Sequence, residues 1–452
     1  MILRDGLKKL PNNSILILST NKKIYRDEIT THYKKNINRL AGARVLICLS
    51  DVSVALSIIT ALDGIVEAFA LISPATSSKL ISLFAVSGNF EAILCNDTKT
   101  FNDLKNVPPV FHDLDTLAAS FTPRKIPKET RWLITTSGTT GEPKLVSHTL
   151  MSLSRTTKVD PVRGANVRWG MLYDYTRFAG LQVLLQSVIS GSKLIVPPFK
   201  DSLDKKIQNF IDHNCTHLSA TPTLWRKIVM TTKVNQINLL QATLGGEIVD
   251  DRILSAIAKL FPKARITHIF ASTEAGVGFS VSDNREGFPL SYLKKPPLGV
   301  DIKVTNGKLY VRNKRVYSKY FGSDISFASK GGWVDTGDSV EIKKDRVLFR
   351  GREDGVINVG GDKVYPEEVE NVLLKHPLVA AVRVYAKPNP ITGFLVAADV
   401  TLIDSNTDEK EARKVLQTYS LEALDRHKAL ASITIVPRFD LNSSGKIVRE
   451  VL

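Results

Sequence analysis

Arg131–Thr149, RWLITTSGTTGEPKLVSHT, is the stretch that decides the reading of this chain. The apolar, β-branched run Trp132–Thr135 predicts a buried strand. It opens into a loop of small hydroxylated residues and glycines, closed by Pro143 and Lys144. Glycines let backbone N–H groups approach an anion closely, hydroxyls add donors, and the lysine adds positive charge. A triphosphate needs that combination. The loop is not a Walker A sequence, because Lys144 does not directly follow a glycine and no Ser or Thr comes after it. A Gly/Ser/Thr stretch can also be a plain surface turn, but this ordering is more specific than that.

The flanking sequence supplies the layers in which such a loop sits. Arg44–Ser50, Ile65–Leu71 and Glu91–Cys95 read as strands, with a helix capped by Asp51 and ending near Gly64, and another over Ser77–Val86. The pattern returns later. Strands at Lys193–Pro197, Thr216–Ala220 and Arg265–Ala271 alternate with helices at Ser202–His213 and Asp250–Phe261. Such alternation predicts α/β layers with largely parallel strands. From Leu298 the strands shorten and look antiparallel, at Asp301–Thr305, Lys308–Arg312 and Val347–Phe349. Beyond Gly355 come a helix at Pro366–Lys375, strands at Ala380–Tyr385 and Phe394–Leu402, a helix at Asp408–Leu424 and a strand near Ile433–Val436. We place a domain boundary at about Asp354, giving units of residues 1–353 and 354–452.

Composition narrows the partners without choosing one. A chain of 452 residues is long enough for more than one core. Its 61 basic and 45 acidic residues leave a charge of +16, which favours anionic partners. The Lys and Arg are spread along the chain and no nucleic-acid module appears, so ATP, coenzyme A or an acidic carrier protein suit the charge as well as nucleic acid does. The apolar stretch Val52–Ile72 is cut by Asp63, Gly64 and Glu67 and reads as a buried helix and strand, not a membrane span. The start of the chain breaks into charge and Pro before any signal-peptide run. Three widely spaced cysteines, Cys48, Cys95 and Cys215, have no metal-ligand spacing and suit a reducing cytoplasm.

The phosphate-loop segment resembles the signature of the adenylate-forming superfamily: acyl-CoA synthetases, nonribosomal-peptide adenylation domains and luciferases. Further motifs follow in that family's order. FASTEAG at Phe270–Gly276 is similar to the element whose Thr and Glu hold the α-phosphate and magnesium. WVDTGD at Trp333–Asp338 looks like the ribose-binding element, and FRGREDGVINVGGDKV at Phe349–Val364 resembles the ribose-binding arginine, hinge and following loop. LNSSGKIVR at Leu441–Arg449 matches the catalytic-lysine motif. Gly245-Gly246-Glu247 resembles the loop that packs on adenine, with Phe270 as its stacking face. Departures are Leu145 after Lys144 and Ala271 before Ser272-Thr273-Glu274, both where glycine is usual. The N-terminal part is short, as in compact members such as the o-succinylbenzoate–CoA ligases.

The resemblance implies a large N-terminal domain of layered α/β sheets and a smaller, rotating α+β C-terminal domain. It implies that Thr136, Ser137, Gly138, Thr139, Thr140, Gly141 and Lys144 cradle phosphates, and that Thr273 and Glu274 serve the α-phosphate, with Glu274 on magnesium. Asp338 and Arg352 would bind ribose, Asp354 would be the hinge, and Lys446 would offset charge where a carboxylate meets the α-phosphate. Gly360 and Gly361 would leave room for a pantetheine arm. Taken singly, Glu274 reads as a solvated loop residue, Asp338 as a turn former and Lys446 as a frayed terminal charge. The expected activity is ATP-dependent adenylation of a carboxylic acid followed by transfer to a thiol. Coenzyme A is the default acceptor and the phosphopantetheine of a separate acyl carrier protein the alternative. An inactive nucleotide-binding scaffold is the rival from another class.

Gly170–Gly191 sits where the family builds its acyl pocket. Anchored on Ala179-Gly180-Leu181, Arg177 falls at a gate position and can hold a carboxylate or merely start a helix. A second anchoring puts Tyr173-Asp174 where amino-acid adenylating domains hold an ammonium. Trp169, Tyr173, Tyr175, Phe178 and Trp225 can line a flat pocket or be plain core.

Overall fold

A computed structural model describes residues 2–20, 22–31, 36–96, 107–136, 144–442 and 445–449. Two mostly parallel sheets organise its first three hundred residues. The six-stranded sheet runs in the order Val110–Phe111, Ala92–Cys95, Arg44–Cys48, Ala68–Leu71, Arg131–Thr136, Lys144–His148. All its pairs are parallel except the last, where the strand after the glycine-rich loop returns beside the strand before it. The eight-stranded sheet has the order Gly276–Val281, Arg265–Ser272, Gln241–Gly245, His217–Ala220, Arg168–Gly170, Lys193–Ile195, Ile15–Ser19, Lys22–Tyr25. Its inner strands are parallel and both edge pairs antiparallel.

Alternation of side chains explains the layering. In Arg44–Cys48, Val45 and Ile47 join one core while Leu46 and Cys48 join another. In the other sheet Ile17 and Leu194 face one way, and Leu18 and Ile195 the other. A strand apolar on both faces must be covered on both. The core between the sheets is filled by helices Val52–Leu62 and Phe178–Ile189. Helices Leu203–Asp212, Pro222–Val229 and Asp251–Leu260 cover the far side of the larger sheet, and Ser78–Ser87 that of the smaller. Asp51 caps Val52–Leu62, its Oδ1 accepting from Ser53 N at 2.7 Å and Val54 N at 3.1 Å. The cap and the helix agree with the sequence expectation.

A five-stranded antiparallel sheet follows: Phe288–Pro289, Arg346–Arg352, Trp333–Lys343, Lys308–Arg312, Asp301–Thr305. The sequence had suggested a turn at Thr336-Gly337-Asp338. The structure puts these residues inside the long strand Trp333–Lys343, whose pairing is irregular on both sides. Gly337 has φ +72, so the local kink is a break in register that glycine permits. The remaining sheet holds Ile357–Val359, Asp362–Val364, Val379–Asn389, Gly393–Leu402 and Ser432–Ile435, and shares its own core with helices Pro366–Leu373 and Glu409–Ala423. Among the described residues no helix is long and apolar enough to cross a membrane. The three cysteines are buried, and the described residues contain no disulfide.

Candidate active site

The functional side chains gather where the larger sheet, the antiparallel sheet and the C-terminal loop meet. Ser137, Gly138, Thr139, Thr140, Gly141 and Pro143 lie outside the described residues. The anchors on either side are placed: Thr136, buried, is register partner of Lys144. Lys144 Nζ stands 4.9 Å from the centre of the Tyr320 ring. Tyr320 belongs to a segment that bridges the open edge of the Lys144–His148 strand through Val146. Burial and the facing Glu274 carboxylate push its phenol up to about 12. Tyr320 therefore links the lysine at the loop's end to the acid expected on magnesium. Nothing in the local sequence marks it.

His148 makes a second link. Its Nε2 donates to the Thr273 carbonyl at 2.7 Å, and its Nδ1 lies 3.3 Å from Ser152 Oγ. Burial pushes the ring down to about 4, so it is neutral at ordinary pH. The Thr273-Glu274 turn is tightened further by Ser272, whose Oγ accepts from Ala275 N at 3.0 Å, and by Asn313, whose Nδ2 donates to Ala275 O at 3.0 Å. Ala271 pairs with Val277 just after a register break in the same hairpin. Phe270, half-buried, stacks on Phe279 at 5.1 Å and Phe349 at 5.6 Å between ring centres. Its stacking partners in this structure are thus protein rings.

Asp338 and Arg352 are register partners on neighbouring strands. Their closest approach, Nη1 to Oδ1, is 3.7 Å. Arg352 is shared: Nη1 donates to Thr336 O at 3.3 Å and Nε to Asp354 Oδ1 at 3.1 Å. Asp338 is thereby left with incomplete compensation. Burial raises its carboxyl to about 6, against the opposing pull of Arg352, the Thr336 hydrogen bond and Lys446. Asp354 sits in the short turn Glu353–Gly355 between the antiparallel sheet and the last sheet.

Lys446 is carried by a tight loop. Leu441 bridges Ile447, Asn442 N donates to Lys446 O at 2.8 Å, and Asn442 Oδ1 accepts from Lys446 N at 3.1 Å. The side chain passes over Gly246, where a Cβ would stand 3.4 Å from its Cε and 3.8 Å from its Nζ. Gly246 has φ +83, so glycine serves both the turn and the lysine's passage. Burial lowers the ammonium's pKa; Glu247 and Asp338 favour the charge, Arg352 and Arg449 oppose it. Glu247 is fixed by accepting from Thr223 N at 2.9 Å. Residues far apart in sequence, Gly246, Glu247, Asp338, Arg352 and Lys446, thus share one cleft. Gly360 and Gly361 form the turn between Ile357–Val359 and Asp362–Val364, with φ +63 and +104. Among the described residues, its own chain neighbours aside, no atom lies within 4 Å of a Cβ built on Gly361.

The candidates for an acyl pocket separate. Asp174 is buried; Oδ2 accepts from Ser73 Oγ at 2.6 Å, and Oδ1 from Thr176 N at 2.9 Å and Thr176 Oγ1 at 2.7 Å. The ammonium-holding expectation therefore meets a carboxylate that already pins its own loop. Tyr173 is buried with its hydroxyl toward Ser219, and Tyr175 donates to Leu49 O at 2.7 Å. Trp225 is fully buried and donates to Thr243 O at 2.8 Å, so it is core. Trp169 is half-buried and lies against the His217 ring. Arg177 and Phe178 point the other way: Arg177 Nη1 donates to Thr135 Oγ1 at 2.8 Å, and the Phe178 ring is 5.5 Å from His148. Both start the helix beside the phosphate-loop strand.

Layered parallel sheets ending in a glycine-rich loop, closed by a lysine-bearing lobe, are the architecture of a nucleotide-binding enzyme. The chain belongs to the AMP-binding enzyme family, which matches residues 36–321, while the AMP-binding enzyme C-terminal domain matches residues 368–446. It is similar to the 2-succinylbenzoate–CoA ligase of Bacillus velezensis, 26% identical over 342 residues that cover 72% of this chain and 68% of that protein. It is 25% identical over 350 residues to the 2-succinylbenzoate–CoA ligase of Lactococcus lactis, covering 74% and 72%. Among solved structures, the anthranilate CoA ligase AuaEII with anthranoyl-AMP superposes with a TM-score of 0.81 at 14% identity, over 99% of this chain and 95% of that one. The Bacillus subtilis o-succinylbenzoate CoA synthetase with its acyl-adenylate gives 0.76 at 20% identity, over 98% and 96%. At those identities the superpositions speak for the fold.

Proposed function

We propose that this chain is an ATP-dependent acid–thiol ligase that adenylates a carboxylic acid and transfers the acyl group to coenzyme A. The observation that carries the reading is the seating of Lys446 over Gly246, beside Glu247, Asp338 and Arg352. A carboxylate oxygen attacks the α-phosphorus of ATP, the bond to the β-phosphate oxygen breaks, and pyrophosphate leaves. Thr136, Ser137, Gly138, Thr139, Thr140, Gly141 and Lys144 hold phosphate oxygens, and Lys446 offsets charge at the reacting centre. Asp338 and Arg352 fix the ribose. The thiol sulfur then attacks the acyl carbon, its proton is lost to solvent, and AMP departs. Positioning supplies most of the rate, because the mixed anhydride is reactive by itself.

Magnesium suits this site. Among the described residues no group of three His, Cys, Asp or Glu can hold a metal ion. Magnesium is commonly bound by one or two carboxylates together with substrate phosphates, and Glu274 offers such a carboxylate facing Tyr320. Bound there, it would supply charge for the phosphates.

The lobe from Asp354 to Leu452 turns about Asp354 between the half-reactions, and Gly360 and Gly361 leave space for the pantetheine arm. Similarity to CoA ligases supports coenzyme A as acceptor over a carrier protein. Buried cysteines, with no disulfide among the described residues, suit a cytoplasmic setting. ATP–pyrophosphate exchange across aryl (2-succinylbenzoate included), fatty, dicarboxylic and amino acids, with Lys446→Ala alongside, tests the proposal. Exchange with one acid class, reduced about 10²–10³-fold in the variant, is expected. Absence of exchange in folded protein that still binds ATP would instead favour a nucleotide-binding scaffold.

A further inference from the structure

We infer that Thr221 is a positioning residue: its hydroxyl latches the Lys446 loop into the adenylating arrangement and releases it for the thiol step. The inference rests on the two-step reaction proposed above. Thr221 is buried, 1% exposed, at the N-cap of helix Pro222–Val229. Its Oγ1 accepts from Leu224 N at 3.1 Å, satisfying one of the helix's orphan donors. The same hydroxyl donates its proton to Gly445 O at 2.7 Å. One oxygen thus fixes the helix start and the residue before Lys446 at once. Gly445 has φ +72, and a Cβ there would stand 3.5 Å from both Thr221 Oγ1 and Leu224 Cδ2, so the loop is seated closely on the helix end.

Two further contacts guide the loop to the same helix without gripping Lys446 itself. Lys227 Nζ donates to Phe439 O at 3.2 Å, and Leu441 packs on the core that Leu224 and Trp225 help form. Glu247, which favours the Lys446 charge, is held by Thr223 N at the same helix start. Helix Pro222–Val229 therefore positions the lysine's counter-charge and the lysine's backbone together. The Thr221–Gly445 bond is a single neutral hydrogen bond. Losing one shifts an equilibrium about two- to tenfold, enough to bias the lobe and too little to trap it.

The test uses the full chain with Thr221→Ala and Thr221→Ser. The first readout needs no substrate: the rate of tryptic cleavage after Lys446 in the ligand-free protein, followed by mass spectrometry. The Ala variant should be cut about two- to tenfold faster, and the Ser variant, which keeps donor and acceptor, at the original rate. The second readout compares half-reactions with 2-succinylbenzoate as probe acid. ATP–pyrophosphate exchange should fall by a similar factor in the Ala variant, while thioester formation from supplied succinylbenzoyl-adenylate and coenzyme A holds steady. Loss of the helix cap alone would slow both half-reactions together and lower the melting temperature without changing relative cleavage after Lys446; that pattern, or unchanged cleavage in Thr221→Ala, overturns the latch. If the unaltered chain shows no exchange with this acid, the functional reading is what has failed for it, and the cleavage arm still decides the latch.

Discussion

Replacing Asp338 by Asn should make the ligand-free protein more stable and the enzyme worse. The Asp338 side chain is only 17% exposed, and its nearest cation, Arg352, stands 3.7 Å off and also serves Thr336 and Asp354. Its carboxyl is raised from 3.8 to about 6. At pH 7.5 the group is ionised in both states, and burial makes that charge costlier in the folded chain than in the unfolded one. That displacement corresponds to about 3 kcal/mol. The sign follows from proton counting: between pH 3.8 and about 6 the folded state binds more protons than the unfolded, so this residue's contribution to stability falls as pH rises through that window and stays lost above it.

Asn removes the charge and keeps the shape. Urea unfolding of the ligand-free protein at pH 7.5 should show Asp338→Asn more stable by about 1–3 kcal/mol, with the gain shrinking towards pH 5 as the original carboxyl protonates. In the same variant the KM for ATP should rise about 10- to 100-fold, because the proposed charged acceptor of the ribose hydroxyls is gone. A gain independent of pH, or no gain at pH 7.5, would refute the account of an under-compensated buried carboxylate. An unchanged KM would remove Asp338 from the ribose site.

His148 should act on stability with the opposite slope. Its ring is pushed from 6.5 down to about 4, so the unfolded chain binds more protons in between and acid costs the folded chain up to about 3 kcal/mol across that window. His148→Leu should flatten this slope while costing about 1–3 kcal/mol at pH 7.5 through the Thr273 carbonyl left without its donor, read from the same urea series. Gly246→Ala should cost about 1–2 kcal/mol for its φ of +83 and crowd Lys446 Cε, so pyrophosphate exchange should fall more than thioester formation from the adenylate. Arg449→Gln removes the 2.7 Å partner of Glu370, a carboxylate 11% exposed that burial already pushes upward. Arg449 is 44% exposed, so a loss of about 1–2 kcal/mol is expected by urea unfolding, restored by a second change of Glu370 to Gln.

The layers were legible because their causes are local. Arg44–Cys48 carries apolar side chains on both faces, and such a run has few places to go except the inside of a parallel sheet. The ordered glycine, acid and lysine motifs named Gly246, Asp338, Arg352 and Lys446, which the structure brings into one cleft. What the sequence did not carry is the side chain whose meaning lies in an atom of a residue distant along the chain. His148 matters for its contact with Thr273 O, Thr221 for Gly445 O and Tyr320 for facing Glu274. None of these partners lies within a helical or strand period of the residue. The acyl-pocket candidates show the converse. Asp174 and Trp225 have the chemistry of ligand contacts, but an acid or indole in an α/β core looks the same by residue type, and only the partners Ser73, Thr176 and Thr243 reveal that each is consumed by the fold.

The cleft's charges give the proposed reaction a built-in response to its substrate. In the ligand-free chain burial drives Asp338 and Lys446 toward neutrality from opposite sides, one carboxyl raised and one ammonium lowered. Each group stands beside charges that compensate it only in part: Arg352 for Asp338, Glu247 for Lys446. A nucleotide would complete both environments at once. Ribose hydroxyls donating to Asp338 favour its carboxylate, and phosphate oxygens near Lys446 favour its ammonium. The protonation states adenylation requires are then stabilised by the ligand that uses them. Preorganised charge of this kind is worth most where water is thin, and the passage of Lys446 over Gly246 depends on the loop that Thr221 holds in place. In the proposed reaction, departure of that loop would take the lysine's charge away from the acyl-adenylate, leaving the second step to the reactivity of the anhydride.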